Sequence, residues 1–336
     1  DTLSLHDALP ISFSGEKIPE QLDQYKVIYL ADLYGVYEEE FRGENEAGKR
    51  SNQLYGGLQP EDVNVLEREL LEGNKTLISE FNTFGSPTED SIRKRMTNLL
   101  NVRWSGWTGR YFTKLDGKEV PDWIISQYET QSKEWNFTGS GFVFVNEKDY
   151  VTVMDETKLT GSGLDFRLTE KGKDYFSSDL DTSYTYWFDI VEALDENEVM
   201  ASYHLPIKDK AIAELAEYGI PVQFPAVIHH QNNQFSSYYF AGDYADEAEV
   251  PDIYQTQGLT SWKKAVEGKR SFYWSAYVPM MKEILSNGLH ESSGAAVAPE
   301  VAAAGDIRFN SGNSADSIQI QKDRKSTRLN SSHLLI

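Results

Sequence analysis

An α/β fold, a mostly parallel sheet flanked by helices with β-hairpins appended, is what this sequence predicts, and three observations carry the prediction. The short β-branched apolar runs Tyr25 to Ala31 and Thr76 to Ser79 are of the kind buried on both faces of a parallel sheet. Helical patterns alternate with them, which at these lengths means βαβ units joined by right-handed crossovers. From Gly141 onward the pattern changes to strand pairs around short polar turns.

Taken in order, the first run ends in Asp32, and the acidic, aperiodic stretch Glu38 to Gln53 reads as a long loop. Pro60 opens a helix with apolar positions Val63, Leu66, Leu70 and Leu71, and Gly73 closes it in the left-handed capping role. The second run ends in Glu80. Ser86-Pro87-Thr88-Glu89 has capping-box spacing with Pro87 at the first helical position, and predicts a helix to Leu100. Gly141 to Val145 and Tyr150 to Asp155 then flank a turn at Asn146 to Asp149. Thr185 to Ala193 and Glu198 to His204 form a second expected hairpin, and Val222 to His229 with Ser236 to Ala241 a third, around Asn232-Asn233. Ile207 to Tyr218 is an amphipathic helix ended by Gly219, and Val278 to Asn287 is a last helix.

The two ends do not read as cellular protein. Thr2 to Ile11 and Asp323 to His333 back-translate, codon by codon, into the opposite adapters of DNA library preparation. Residues 1–11 and 323–336 are therefore expected to be adapter-derived and to make few contacts with the rest. The biological insert is then Ser12 to Lys322, expected to continue beyond both ends in the native protein. Within it, residues 12–289 form the α/β domain with hairpin insertions, and 290–306 have the Ala, Ser, Gly and Pro content of a linker. Ile307 to Phe309 and Ile318 to Ile320 resemble the hairpin of a further domain that begins at 307.

The chain has 336 residues and a net charge of −21, and its ends balance, Asp1, Asp7 and Asp323 against Arg324, Lys325 and Arg328. That length suits one large or two ordinary domains, and so negative a chain lacks the Lys and Arg surplus that displaces counterions from a phosphate backbone. No nucleic-acid partner is expected. The absence of cysteine excludes disulfides, thiolate nucleophiles and Cys-ligated zinc, and it fits an exported bacterial protein. Aromatic rings sit in polar company in WSGW, YTYWF, SSYYF and SFYWSAY, a setting suited to saccharide recognition as well as to core packing.

YKVIYLAD, LQPEDVNVLERELLEGNKTLISEFN and SPTEDSIRKRM have a strand, helix, Gly, strand order that resembles the class I glutamine amidotransferase-like superfamily, a flavodoxin-like arrangement. The branch with trehalose-utilisation (ThuA-like) proteins and the trimerisation domain of some β-galactosidases is the most similar. FPAVIHHQNNQFSSYYFAGDYAD adds the Pro-led strand, turn and aromatic strand with which those families end. The resemblance covers about half of the insert and implies that fold, with a cysteine nucleophile on a strand-to-helix turn. Here the comparable turn is Glu80-Phe81-Asn82-Thr83, and glutamine hydrolysis is excluded because no cysteine exists. The β-galactosidase side of the resemblance implies a homo-oligomerisation role.

In open parallel sheets ligands sit beyond the carboxyl ends of the strands, where Asp32, Glu80 and, past a later strand, Asp243 fall. These three are the candidate catalytic carboxylates, as an acid–base pair for glycoside chemistry; otherwise they cap loop amides and helix N-termini. Trp107, Arg110, Tyr111 and Asn82 are the candidate ligand-binding residues. Trp104 to Tyr111 reads as a glycine-containing loop in which Arg110 offers fixed donors beside an indole, or else pairs with Asp32 or Glu80. The expected architecture places Asp32, Glu80, Trp107 and Arg110 in one pocket. His229 and His230 are adjacent in a strand and point to opposite faces, His204 reads as structural, and no metal site is expected. Glycines 139–141 and 161–163 lack the Lys-Ser/Thr of a phosphate loop, and no cofactor is expected. The function this supports is a non-catalytic or degenerate amidotransferase-like module of a larger bacterial envelope protein, extracytoplasmic, serving glycan-related binding or assembly. A carboxylate-based glycan hydrolase and a purely structural oligomerisation domain are the alternatives.

Overall fold

In the computed structural model, which describes residues 18–19, 22–23, 25–31, 33, 35–38, 53–117, 119–245, 272–290, 319–320 and 332–335, the apolar run Val27–Ala31 is strand β1, buried along its whole length. β2 (Gly35–Tyr37) and β3 (Gln53–Gly56) pair as a small ribbon. Helix α1 (Pro60–Gly73) follows Gln59, whose N–H donates to Asp62 at 3.0 Å. Its left-handed terminus is Asn74, at φ 46, one residue beyond the expected Gly73. Asn tolerates that conformation because its short polar side chain bonds locally. β4 (Thr76–Ser79) lies parallel to β1, Val27 opposite Thr76 and Leu30 opposite Ser79, so the two predicted strands are neighbours. Buried Lys75 ties this corner together, its Nζ reaching Glu69 at 2.7 Å and the Leu22 carbonyl.

Helix α2 (Asp90–Leu100) starts later than predicted, with Glu89 at its N-cap. Residues 85–88 form a turn in which the Thr88 N–H donates to Gly85, and Pro87 lies against Gly35 and Gly57 instead of opening the helix. β5 (Val102–Phe112), α3 (Asp122–Thr130), β6 (Gly141–Asn146), β7 (Val151–Asp155), β8 (Leu164–Leu168), α4 (Glu170–Phe176) and β9 (Asp181–Tyr184) follow. Then come β10 (Phe188–Ala193), β11 (Val199–His204), α5 (Asp209–Glu217), β12 (Gln223–Gln231) and β13 (Ser236–Phe240). A π-helical turn, Tyr273–Tyr277, runs into α6 (Val278–His290), and β14 (Gln319–Ile320) and β15 (Ser332–Leu335) complete the described elements.

Among the described residues the large sheet has nine strands in the order β14-β15-β1-β4-β13-β12-β11-β8-β9. Among the described residues, β1 with β4 and β4 with β13 are the parallel pairs, and the other adjacent pairs are antiparallel. The fold is mixed α/β, and the mostly parallel expectation is corrected. The physical reason is the tight β12–β13 hairpin, which a short turn can join only antiparallel, and onto which β11, β8 and β9 are added in the same sense. Residues 39–52 and 291–306 lie outside the described residues, as do Ile307 to Phe309. Ser332–Leu335 pairs antiparallel with Ile28–Ala31, so the expectation that residues 323–336 make few contacts is also corrected: the uncovered edge of β1 accepts any extended segment with free backbone groups.

The second sheet has four antiparallel strands, β10-β5-β6-β7. Its strand β5 is the stretch expected to be a glycine-containing loop. Gly106, at φ 88, sits in a bulge where the register with β10 jumps from Trp107 to Trp104, and the strand resumes beyond it. Gly109 has no side chain because none fits: a Cβ there would stand 2.6 Å from the ring of Phe188 and 2.9 Å from that of Phe144. β10 and β11 do not form the expected hairpin; the turn between them carries the chain from the small sheet to the large one. The hairpins β6–β7 and β12–β13 form as predicted.

The small sheet has two buried faces, as its alternation dictates. Phe142, Phe144, Trp107, Tyr111, Phe188 and Ile190 join the main core, while Val143, Val145 and Phe112 pack under α3 with Ile124. Phe188 meets Phe224 at 5.8 Å and Tyr203 at 6.0 Å across the gap between sheets. On the large sheet, Tyr238 points toward α4, its hydroxyl 2.7 Å from that of Tyr175, while Tyr239 points toward β10.

Candidate functional site

β13 ends at Phe240, and the chain that follows it runs on beside β10. The Asp189 N–H donates to Ala241 at 2.9 Å, the Asp243 N–H donates to Trp187 at 3.0 Å, and Phe188 bridges Gly242. This seam joins the two sheets at the carboxyl end of the parallel strands, and the sequence places acids there. Asp189, fully buried on β10, accepts from the Thr108 hydroxyl at 2.8 Å, the Tyr239 hydroxyl at 2.8 Å and the Asn82 N–H at 3.3 Å. Burial pushes its carboxyl up to about 6, against the lowering effect of those three hydrogen bonds. Asn82 meets it in the left-handed region, φ 66, in the turn after β4.

Glu80 occupies the same turn and is buried at 1% exposure. Its carboxyl lies against the hydroxyls of Tyr29 and Tyr277, which themselves approach to 2.6 Å. Burial first, and then the charge of Glu80, pushes the pKa of both phenols well above its ordinary value and so disfavours their ionisation. Tyr239 is raised in the same way by burial, then by Asp189, with Glu80 contributing less. The turn is braced by Ser79 and Thr83, whose hydroxyls stand 2.5 Å apart. Asp243 is buried at 5% exposure. The three carboxylates thus sit in the interior at the sheet edge where the sequence predicted a site; Asp32 lies outside the described residues.

The expected common pocket of Glu80, Trp107 and Arg110 is not what the structure builds. Trp107 is a core residue, its Nε1 donating to the Tyr218 carbonyl at 3.1 Å with the Tyr150 and Tyr218 rings edge-on. Tyr111, on the same face, packs edge-on against Phe142 at 5.1 Å. Arg110 is three residues along a strand from Trp107 and so faces the other way. There its guanidinium lies over the rings of Tyr186, Phe112 and Trp187, at 4.4, 4.7 and 5.6 Å. Burial lowers its ionisation, opposed by Tyr186, Glu119, Tyr184 and Asp243. Reading β5 as a loop hid this alternation, because a loop does not divide its residues between two faces.

Sequence reasoning missed Asp189, Tyr29, Tyr239, Tyr277, Tyr186 and Trp187. The one available signal was Asp189 itself, an acid inside the apolar run Phe188 to Val191. His229 lies flat on Tyr238 at 4.1 Å with Nε2 2.9 Å from Ser236, while His230, on the opposite face, meets Glu198 at 2.7 Å. His204 pairs at 3.7 Å with Asp165 at the sheet surface. Among the described residues no helix is long and apolar enough to cross a membrane. Compared with protein-family models, curated proteins and solved structures, the chain matches none. Fold and site define a mixed α/β protein with acids sealed at a sheet seam and a half-buried arginine on an aromatic bed.

Proposed function

We propose that the chain is a non-catalytic, glycan-related binding module of amidotransferase-like descent, from a larger bacterial envelope protein. The single observation that carries the binding reading is the half-buried Arg110 over Tyr186 and Trp187, themselves half-buried. Rings and fixed donors reachable from solvent are what a saccharide needs. What supports a non-catalytic module is that Glu80, Asp189 and Asp243 are each at most 5% exposed, whereas a bulky glycosidic bond has to reach the acid that cleaves it. The parallel run β1, β4, β13 supports the amidotransferase-like descent, and the absence of cysteine its degenerate state.

The test is titration of the full chain against a panel of soluble glycans. Tyr186→Ala is expected to weaken binding about tenfold, the worth of one ring contact, and Glu80→Gln to leave it unchanged. A hydrolase is the second reading, favoured by the raised Asp189 carboxyl beside the Tyr239 hydroxyl, a pairing found where protons are transferred. Glycoside turnover abolished by Asp189→Asn would replace the module reading with that one.

A further inference from the structure

We propose that Arg110 is the receptor for a ligand carboxylate, and that the saccharide this chain takes is an acidic one, a uronate. The inference rests on the saccharide-binding reading and adds to it the charge of the ligand. Among the described residues, Arg68, Arg93, Arg95, Arg103 and Arg167 each hold a carboxylate, at 3.0, 2.9, 2.7, 2.8 and 3.2 Å. Arg110 has no ion pair and no hydrogen bond there, and its Nε is buried without an acceptor. In a chain of net charge −21 carboxylates are abundant, so an arginine left without one is held away from them by the fold.

The aromatic rings explain how. Tyr186 and Phe112 lie over the guanidinium and its Nε is buried, which leaves the end where the two Nη groups point as the direction of approach. Glu119 and Asp243 act on Arg110 through their charge without an ion pair to it among the described residues, and Glu119 is engaged by the Thr113 hydroxyl at 3.3 Å. Cation–π contact offsets part of the desolvation of the guanidinium but supplies no acceptor to its in-plane donors. A carboxylate does, with two parallel charge-assisted bonds matched to the fork. A neutral diol brings no charge to a cation that burial has made costly, and a doubly charged phosphate is opposed more strongly by the neighbouring acids.

The experiment is calorimetric titration of the full chain with sodium glucuronate, glucuronate methyl ester, glucose and inorganic phosphate, repeated with Arg110→Met and Arg110→Lys. Met keeps the rings packed on an apolar stem, and Lys keeps the charge without the fork if the Met variant fails to fold. Glucuronate is expected to bind at least tenfold more tightly than ester or glucose, with a preference that weakens with salt, is lost in Arg110→Met and is largely lost in Arg110→Lys. Equal affinity for glucuronate, ester and glucose overturns the carboxylate proposal and leaves the saccharide reading standing; no binding of any sugar overturns both. Tighter binding of phosphate than of glucuronate, or a glucuronate preference that survives in both variants, also overturns the proposal.

Discussion

Asp189 shows what a single buried acid does to the stability of this chain. Its carboxyl titrates near 6 in the fold and near an ordinary 3.8 when unfolded, so between those values the native state binds more protons. Stability therefore falls as the pH rises through that window and stays lower above it, by about 3 kcal/mol. His229 has the opposite sign: burial, then the charges of Lys171 and His230, pushes it down to about 4 from 6.5. The unfolded chain takes up that proton first, so stability falls as the pH drops from 6.5 toward 4. The two slopes oppose each other between 4 and 6. Asp189→Asn removes one of them, and Asn fits, its carbonyl accepting from Tyr239 and Asn82 while its amide donates to the Thr108 oxygen. Urea unfolding is expected to show the variant more stable by about 3 kcal/mol at pH 7.5, with the difference vanishing near pH 4 and a steeper acid-side loss left behind. A variant no more stable than the parent at pH 7.5 would contradict the account.

Among the elements, β5 decides most. Its bulge at Gly106 and the close approach at Gly109 let one strand serve two cores, and Gly109 is where the small sheet comes nearest the rings of Phe188 and Phe144. Gly109→Ala is expected to lower stability by about 2 kcal/mol, the scale of overpacking a dense core, read as a shift in the denaturation midpoint at constant slope; an unshifted midpoint would mean that the rings move aside freely. The runs β1 and β4, and α1, α2, α5 and α6, were legible because apolar residues repeat at the strand or helix period over enough chain to bury a face. β5 was not, since glycine and serine weaken the local preference for a strand while cross-strand pairing with β6 and β10 overrides it. The candidate site was legible in the same proportion: the sheet edge and the acids Glu80 and Asp243 were readable from strand ends, and Asp189 and the Arg110 ring bed were not.

At the scale of the whole molecule, the large sheet is extended past β1 when Ser332–Leu335 pairs with it and β14 pairs beyond. β1 stays paired with β4 on its other side and keeps its buried faces, so a chain ending at Lys322 is expected to unfold in one cooperative transition. The amides of Ile28 to Ala31 that face β15 are expected to lose hydrogen-exchange protection in the shortened chain. Unchanged protection at those amides would show that the pairing contributes nothing. By itself the sequence determined the alternation of strands and helices, the exclusion of cysteine chemistry, the anionic character and the parallel start of the sheet, because each follows from periodicity or composition along the chain. Only the tertiary structure decided that the sheet is mixed, that β10 and β11 part into different sheets, that Trp107 is core, and that buried Asp189 and half-buried Arg110 are the charges of interest. Those outcomes depend on which faces meet across the seam between the sheets, a relation between distant residues that no local pattern encodes.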